Sequence, residues 1–188
     1  MITGEIITIK PFENEDLPVL WELAYGEENP EWKKWDAPYF PLKKREKEEY
    51  IISMQILIEE GLETRWGIWA EGQLIGSVSY YWEHKPSLWL EVGIVIYTPS
   101  FWNGGYGTEA LKLWIGHLFN TLPIHRIGYT TWSGNKRMIR LGEKLGMMME
   151  GRIRKARLYN GNLYDSIKMG ILKEEWEAFN QNKAAMES

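Results

Sequence analysis

From Ala110 onward, apolar residues recur at Ala110, Leu111, Trp114, Ile115, Leu118 and Phe119, the spacing of one face of an amphipathic helix. The segment "ENEDLPVLWELAY" carries an acidic start and then Leu17, Leu20, Trp21 and Tyr25, which predicts an earlier helix. "LKKREKEEYIISMQILIEEG" predicts a second, charged at its start and closed by Gly61. "NKRMIRLGEKLG" predicts a helix stopped at Gly146, and "KEEWEAFNQ" a short last one. Strand patterns fall on "EIITIK", ended by Pro11, on "TRWGIWA" and on "LIGSVSYYW". The last two flank the turn Glu71-Gly72-Gln73, a hairpin signal. "LWLEVGIVIY" is mostly apolar and predicts a central strand. "RIGYTTW" follows, and "MMMEGRIRKARLY" and "NLYDSIKMGIL" are joined at Asn160-Gly161, a strong hairpin signal. The order β-α-α-β-β-β-α-β-α-β-β predicts a mixed α/β (α+β) protein on a mostly antiparallel sheet of about seven strands.

Composition narrows the classes. The 188 residues are 44% hydrophobic and 26% charged, with a net charge of −4, which suits one soluble domain and argues against a nucleic-acid binder. "KKREKEE" is a mixed-charge solvated face. Without cysteine there is no disulfide, thiolate metal site or cysteine nucleophile. The histidines 84, 117 and 125 are scattered, so no metal site is expected. Neither a signal peptide nor a long apolar run is legible, so a cytoplasmic protein without membrane attachment is expected. Eleven tryptophans are many. Core packing is the ordinary use of each, and a pocket for a cationic ligand the sharper one.

The chemistry concentrates in "SFWNGGYGTEALKLW", where Gly104, Gly105 and Gly107 precede the amphipathic helix. A helix start carries unpaired N–H groups and partial positive charge. Glycines let that backbone approach a bulky anion, so a phosphate or pyrophosphate is the physical expectation. A tight turn that merely needs glycine is the alternative. Gly107-Thr108 lacks the lysine of a P-loop, and the dinucleotide fingerprint G-x-G-x-x-G is absent.

"EVGIVIYTPSFWNGGYGTEAL" resembles the strand and pyrophosphate loop of the GNAT N-acetyltransferases, with Gly105 and Gly107 at the two pattern glycines. The closer likeness is to the branch that acetylates ribosomal-protein N-termini, with relatives acting on polyamines and small amines. "HRIGYTTWSGNKRMIRLGEKLGMMMEGRIR", "NGNLYDSIKMGIL" and "ITIKPFENEDLPVLWEL" resemble the following, closing and N-terminal blocks. The likeness spans about residues 5–172, leaving a C-terminal tail 173–188, and residues 1–188 are expected to form a single N-acetyltransferase domain of GNAT fold.

The resemblance implies transfer of an acetyl group from acetyl-CoA to a primary amine by direct attack in a ternary complex. The absence of cysteine and of G-x-S-x-G agrees with a mechanism lacking an acyl-enzyme. It implies that the backbone of Asn103, Gly104, Gly105, Tyr106, Gly107 and Thr108 holds the pyrophosphate. It further implies that Ile94, Val95 and Ile96 pair with the pantetheine arm and that Asn135 contacts the cofactor. A backbone N–H aimed at the developing oxyanion is worth about 3 kcal/mol. Glu91 is the candidate base, because desolvation in an apolar strand strengthens a carboxylate as a base. The alternative places Glu91 on a wet strand end in a structural role.

Met138 and Gly142 occupy the positions where many members carry a Tyr or Ser that protonates the leaving thiolate, and neither can donate. Solvent, Ser133 or a tyrosine such as Tyr97 are the substitutes. Trp102 stands for the usual Gln/Arg and Met147 for a usual Phe. For the acceptor, Glu27, Glu28, Glu31 and Asp36 beside Trp32 and Trp35 suit a cationic amine, a protein N-terminus or a polyamine. Asp165 either binds that amine or braces its hairpin, and Arg152 and Arg154 are surface charge or meet an anion. The missing donor also motivates another class, a catalytically weak acyl-CoA-binding or sensing module. Exposed aromatic surface would favour a homodimer.

Overall fold

The computed structural model describes residues 1–61 and 63–187. Its strands are β1 (Ile2–Thr3), β2 (Thr8–Pro11), β3 (Arg65–Ala70), β4 (Gln73–His84), β5 (Trp89–Ile96), β6 (Arg126–Trp132), β7 (Met148–Tyr159) and β8 (Asn162–Leu172). Its helices are α1 (Leu17–Tyr25), α2 (Lys47–Glu59), α3 (Tyr106–Thr121), α4 (Lys136–Lys144) and α5 (Lys173–Glu187). The strands follow the hydrogen-bonded order β1-β2-β3-β4-β5-β6-β8-β7. β5 and β6 run parallel, whereas β1–β2, β2–β3, β3–β4, β6–β8 and β7–β8 are antiparallel. This is the mixed α/β fold with a mostly antiparallel sheet that the pattern predicts, with one strand more than the seven expected. The extra strand, β1, is two residues long and too short to leave an alternation. Among the described residues, no helix is long and apolar enough to cross a membrane.

The chain forms two compact units. The first comprises residues 1–80 and 93–114. Its core gathers Phe12, Leu17, Leu20, Tyr50, Met54 and Leu74, so the apolar faces of α1 and α2 are buried together. Each such side chain contributes roughly 1.5–3 kcal/mol of burial. Two segments depart from the sequence pattern. The strand expected over 5–10 starts only at Thr8, because the amides of Glu5, Ile6 and Ile7 all donate to the Glu109 carboxylate, at 2.5–3.0 Å. The helix expected from Leu42 starts at Lys47. Residues 43–45 carry three like charges, and the Trp21 indole holds the Arg45 carbonyl at 2.8 Å. Glu48 and Glu49 then favour the helix start where it falls. The β3–β4 turn has positive φ at both Glu71 and Gly72, which matches the twist of the flanking strands.

The second unit comprises residues 81–92 and 115–188. β5 and β6 are in register at Glu91 and Gly128, and β6 and β8 at Thr130 and Lys168. The hairpin of β7 and β8 turns at Asn160-Gly161, again with both φ positive. The α4 helix is capped by Asn135 and ends at Gly146, whose φ is +79°. Trp132 packs edge-on against Tyr159 and Tyr164, and Trp176 of α5 lies beside Phe119.

Candidate functional site

In the first unit, a short turn at Pro99–Phe101 delivers β5 into the glycine loop. The Trp102 indole donates to the Ile96 carbonyl at 2.9 Å and fixes the loop to the strand that precedes it. Asn103 and Gly105 take φ of +64° and +90°. A Cβ on Gly104 would run into the Tyr106 ring. Backbone geometry and Tyr106 thus require these two glycines, as the tight-turn reading expects. The anion reading rests on a different fact. Gly104 and Gly105 are exposed at the head of a sixteen-residue helix, whose first amides lack intrahelical partners. Glu109, in the first turn of α3, ties that helix to the N-terminal segment through three backbone amides. The Tyr106 hydroxyl donates to Glu71 at 3.2 Å. Ile94, Val95 and Ile96 are half-buried on the last residues of β5. At Gly76 any side chain would strike the Val95 carbonyl, so β4 approaches β5 closely there.

The acidic segment also lies in the first unit. Trp32 is buried, and its ring meets Tyr97 edge-on at 5.4 Å. Trp35 is half-buried, whereas Glu27, Glu28, Glu31 and Asp36 are exposed. Lys33 folds back on the carbonyls of Asp36 and Ala37 at 2.6 and 3.2 Å, which places a cation in the acidic stretch. Several other tryptophans find their cations within the chain. Lys44 and Lys47 lie over Trp21, Lys10 over Trp69 and Arg126 over Trp89.

In the second unit Glu91 is 2% exposed, which removes the wet-strand-end reading. Burial of a carboxylate demands partners, and among the described residues Glu91 has three. Tyr81 donates at 2.7 Å, Thr130 at 2.8 Å and Lys168 at 3.2 Å. Lys168 also donates to Thr130 at 3.1 Å. The four residues sit on β4, β5, β6 and β8, four successive strands of the sheet. Tyr81 and Thr130 are exposed, so Glu91 lies beneath a polar surface row. Burial, and then the bond to Glu91, push the Tyr81 phenol well above the usual tyrosine range. Sequence reasoning missed Tyr81, Thr130 and Lys168. A signal existed: Lys168 stands between buried Ile167 and Met169, just as Glu91 stands between Leu90 and Val92. Two opposite charges inside two apolar strands call for each other.

Asn135 sits at the start of α4, and its side chain accepts from Met138 N at 3.1 Å. The donor missing at Gly142 has a steric cause. Tyr129, from β6, fills that space, and a Cβ on Gly142 would collide with its hydroxyl. That hydroxyl donates to the Met138 carbonyl at 2.7 Å, and burial raises its pKa strongly. Ser133 accepts from Asp165 N at 2.9 Å. Both Asp165 oxygens are engaged, by Arg152 Nε at 2.6 Å and Lys155 N at 2.8 Å. Arg154 is exposed. Tyr97, in the first unit, has its hydroxyl 3.3 Å from Ser77, and burial raises its pKa.

The chain is 25% identical over 179 residues to the SPbeta prophage-derived uncharacterized N-acetyltransferase YokL of Bacillus subtilis, covering 93% of this chain and 94% of that one. It superposes on the spermidine N-acetyltransferase of Vibrio cholerae, solved with CoA and spermine, with a TM-score of 0.76. That likeness covers 92% of this chain and 99% of the other at 20% identity, and so concerns the fold. The ribosomal L7/L12 α-N-protein acetyltransferase RimL, solved with CoA, aligns with a TM-score of 0.72 at 17% identity, covering 90% and 95%. Residues 7–148 match the family described as the acetyltransferase (GNAT) domain, and the chain belongs to the GNAT N-acetyltransferases.

Proposed function

We propose that this chain transfers the acetyl group of acetyl-CoA to a primary amine, by direct attack in a ternary complex. The observation that carries the reading is the buried Glu91 carboxylate, held by three donors on the strand that leads into the glycine loop. An ammonium cannot attack, and it must lose a proton to a base first. Glu91 takes that proton, and Lys168 holds its carboxylate in place at 3.2 Å. Acetyl-CoA supplies the thioester, an acyl group on a good leaving group. The exposed glycines and helix start fit its pyrophosphate, and Asn103, Gly104, Gly105, Tyr106, Gly107 and Thr108 hold it through their backbone. Ile94, Val95 and Ile96 hold the pantetheine arm, and one of their amides polarises the thioester carbonyl. Asn135 meets the cofactor from the head of α4.

The acceptor is a cationic amine, a peptide N-terminus or a polyamine, met by Trp32, Trp35 and Asp36. Asp165, with both oxygens engaged, is assigned to bracing the hairpin. The departing thiolate takes its proton from solvent, because the Tyr129 hydroxyl already donates to the Met138 carbonyl. The whole chain, 1–188, acts as one acetyltransferase domain in the cytoplasm, without nucleic acid or membrane partners. Its exposed apolar side chains, including Ile153, Leu158 and Leu163, favour a homodimer.

The test is release of CoA from acetyl-CoA with peptides starting in Ala or Ser, spermidine and an aminoglycoside. Turnover of one class supports the reading. Binding of acetyl-CoA without turnover of any amine favours the sensing module.

A further inference from the structure

Glu91 is too deeply buried to meet an acceptor itself, being 2% exposed beneath Tyr81, Thr130 and Lys168. Each of those three is a route by which a proton could pass inward. Lys168 has no lone pair while it is an ammonium. The Thr130 hydroxyl is tied on both sides, accepting a hydrogen bond from Lys168 and donating one to Glu91. Tyr81 remains. It is 50% exposed, its hydroxyl donates to Glu91 Oε2 at 2.7 Å, and a phenol oxygen that donates once can still accept.

We infer that Tyr81 is the catalytic residue that meets the acceptor ammonium and relays its proton to Glu91. This rests on the acetyltransferase reading above and deepens it. The ammonium N–H bond breaks as a proton moves to Tyr81 Oη, while the Tyr81 O–H proton moves to Glu91 Oε2. Tyr81 ends as it began, Glu91 ends protonated, and the amine is free to attack. The C–N bond then forms as the C–S bond breaks, with the electron pair leaving on sulfur. The second amine proton leaves to solvent, solvent protonates the thiolate, and Glu91 returns its proton to solvent. A high phenol pKa suits this role, because Tyr81 never has to hold a negative charge. The charged groups that face Tyr81 are Glu91 on β5 and Glu83 on its own strand, with Lys168 of β8 behind Glu91.

The experiment compares the protein with Tyr81→Phe, Glu91→Gln and the double variant, using acetyl-CoA and whichever of spermidine or the Ala- and Ser-starting peptides is turned over. CoA release is followed from pH 6 to 10, beside thermal melting and acetyl-CoA binding. Tyr81→Phe should lower kcat about 100-fold at pH 7. The loss should close as pH rises and the free amine supplies itself, with acetyl-CoA binding unchanged. The double variant should be no slower than Glu91→Gln. A proton inventory on the unaltered protein needs no variant to fold. It should be curved, because two protons move together. Equal kcat for Tyr81→Phe, a loss that does not change with pH, or a linear inventory overturns the relay and leaves acetyl transfer standing. Absence of turnover by the unaltered protein overturns both.

Discussion

Lys168 Nζ stands 3.2 Å from Glu91 Oε1, and the lysine is the exposed partner, its side chain 39% accessible against 3% for the glutamate. The pair therefore closes the buried charge off from one side. Lys168→Met leaves the Glu91 carboxylate with hydroxyl donors alone. Because the lysine is partly solvated, the cost is discounted to about 1–3 kcal/mol. Urea unfolding of both proteins measures it. Glu91→Gln should recover much of the loss in the Lys168→Met background, since the amide carries no charge to compensate. Full additivity of the two changes would contradict the pairing.

Gly142 and Tyr129 make a second testable pair. Gly142→Ala forces the Tyr129 hydroxyl off the Met138 carbonyl and should destabilise the protein by about 1–3 kcal/mol. Tyr129→Phe loses one buried hydrogen bond, worth about 1 kcal/mol. The double variant should be more stable than the sum of the two losses implies, because the phenylalanine leaves room for the new methyl group. Thermal unfolding of the four proteins decides it. An unchanged melting temperature for Gly142→Ala would show that the site can relax.

Sequence patterning reaches the fold further than it reaches the site. The face Ala110, Leu111, Trp114, Ile115, Leu118 and Phe119 is buried throughout, because a 3.6-residue period is a local property. The Asn160-Gly161 and Glu71-Gly72 turns were legible for the same reason. The glycine loop and Glu91 were legible as oddities, costly residues in an apolar setting. What surrounds Glu91 was not, since Tyr81, Thr130 and Lys168 lie 10, 39 and 77 residues away along the chain. Only the sheet order brings them together. Arg45 and the amides of residues 5–7 were misjudged for a related reason: a distant side chain, Trp21 or Glu109, claims the backbone groups that local structure would have used.

Gly105 carries a φ of +90°, a conformation that side chains resist. Gly105→Ala should cost about 1–2 kcal/mol of stability and weaken acetyl-CoA binding at least tenfold, as the loop backbone shifts. Isothermal titration of acetyl-CoA reads the second effect. Unchanged affinity would detach the loop from the cofactor.

Asp165 offers a pH test. The Lys155 amide and then the Arg152 guanidinium hold its carboxyl below the usual value of 3.8. A carboxyl held low in the folded protein binds protons less readily than in the unfolded chain. Its stabilising effect is therefore present above pH 3.8 and is lost as pH falls through the folded value. Asp165→Asn should be the less stable protein at pH 7, and the gap should shrink as the solution is acidified below pH 3.8. Denaturant midpoints taken at pH 7 and at pH 3 check the sign. A gap that widens in acid would contradict it.

The most direct measurement is CoA release from acetyl-CoA with the amine panel, run side by side on the unaltered protein and Glu91→Gln, with acetyl-CoA affinity measured for both. The account predicts turnover of one cationic amine class, lost by at least 100-fold in Glu91→Gln while acetyl-CoA binds equally. Equal turnover by the two proteins would contradict it, for Glu91 would then be a buried structural ion and the proton would leave by another route.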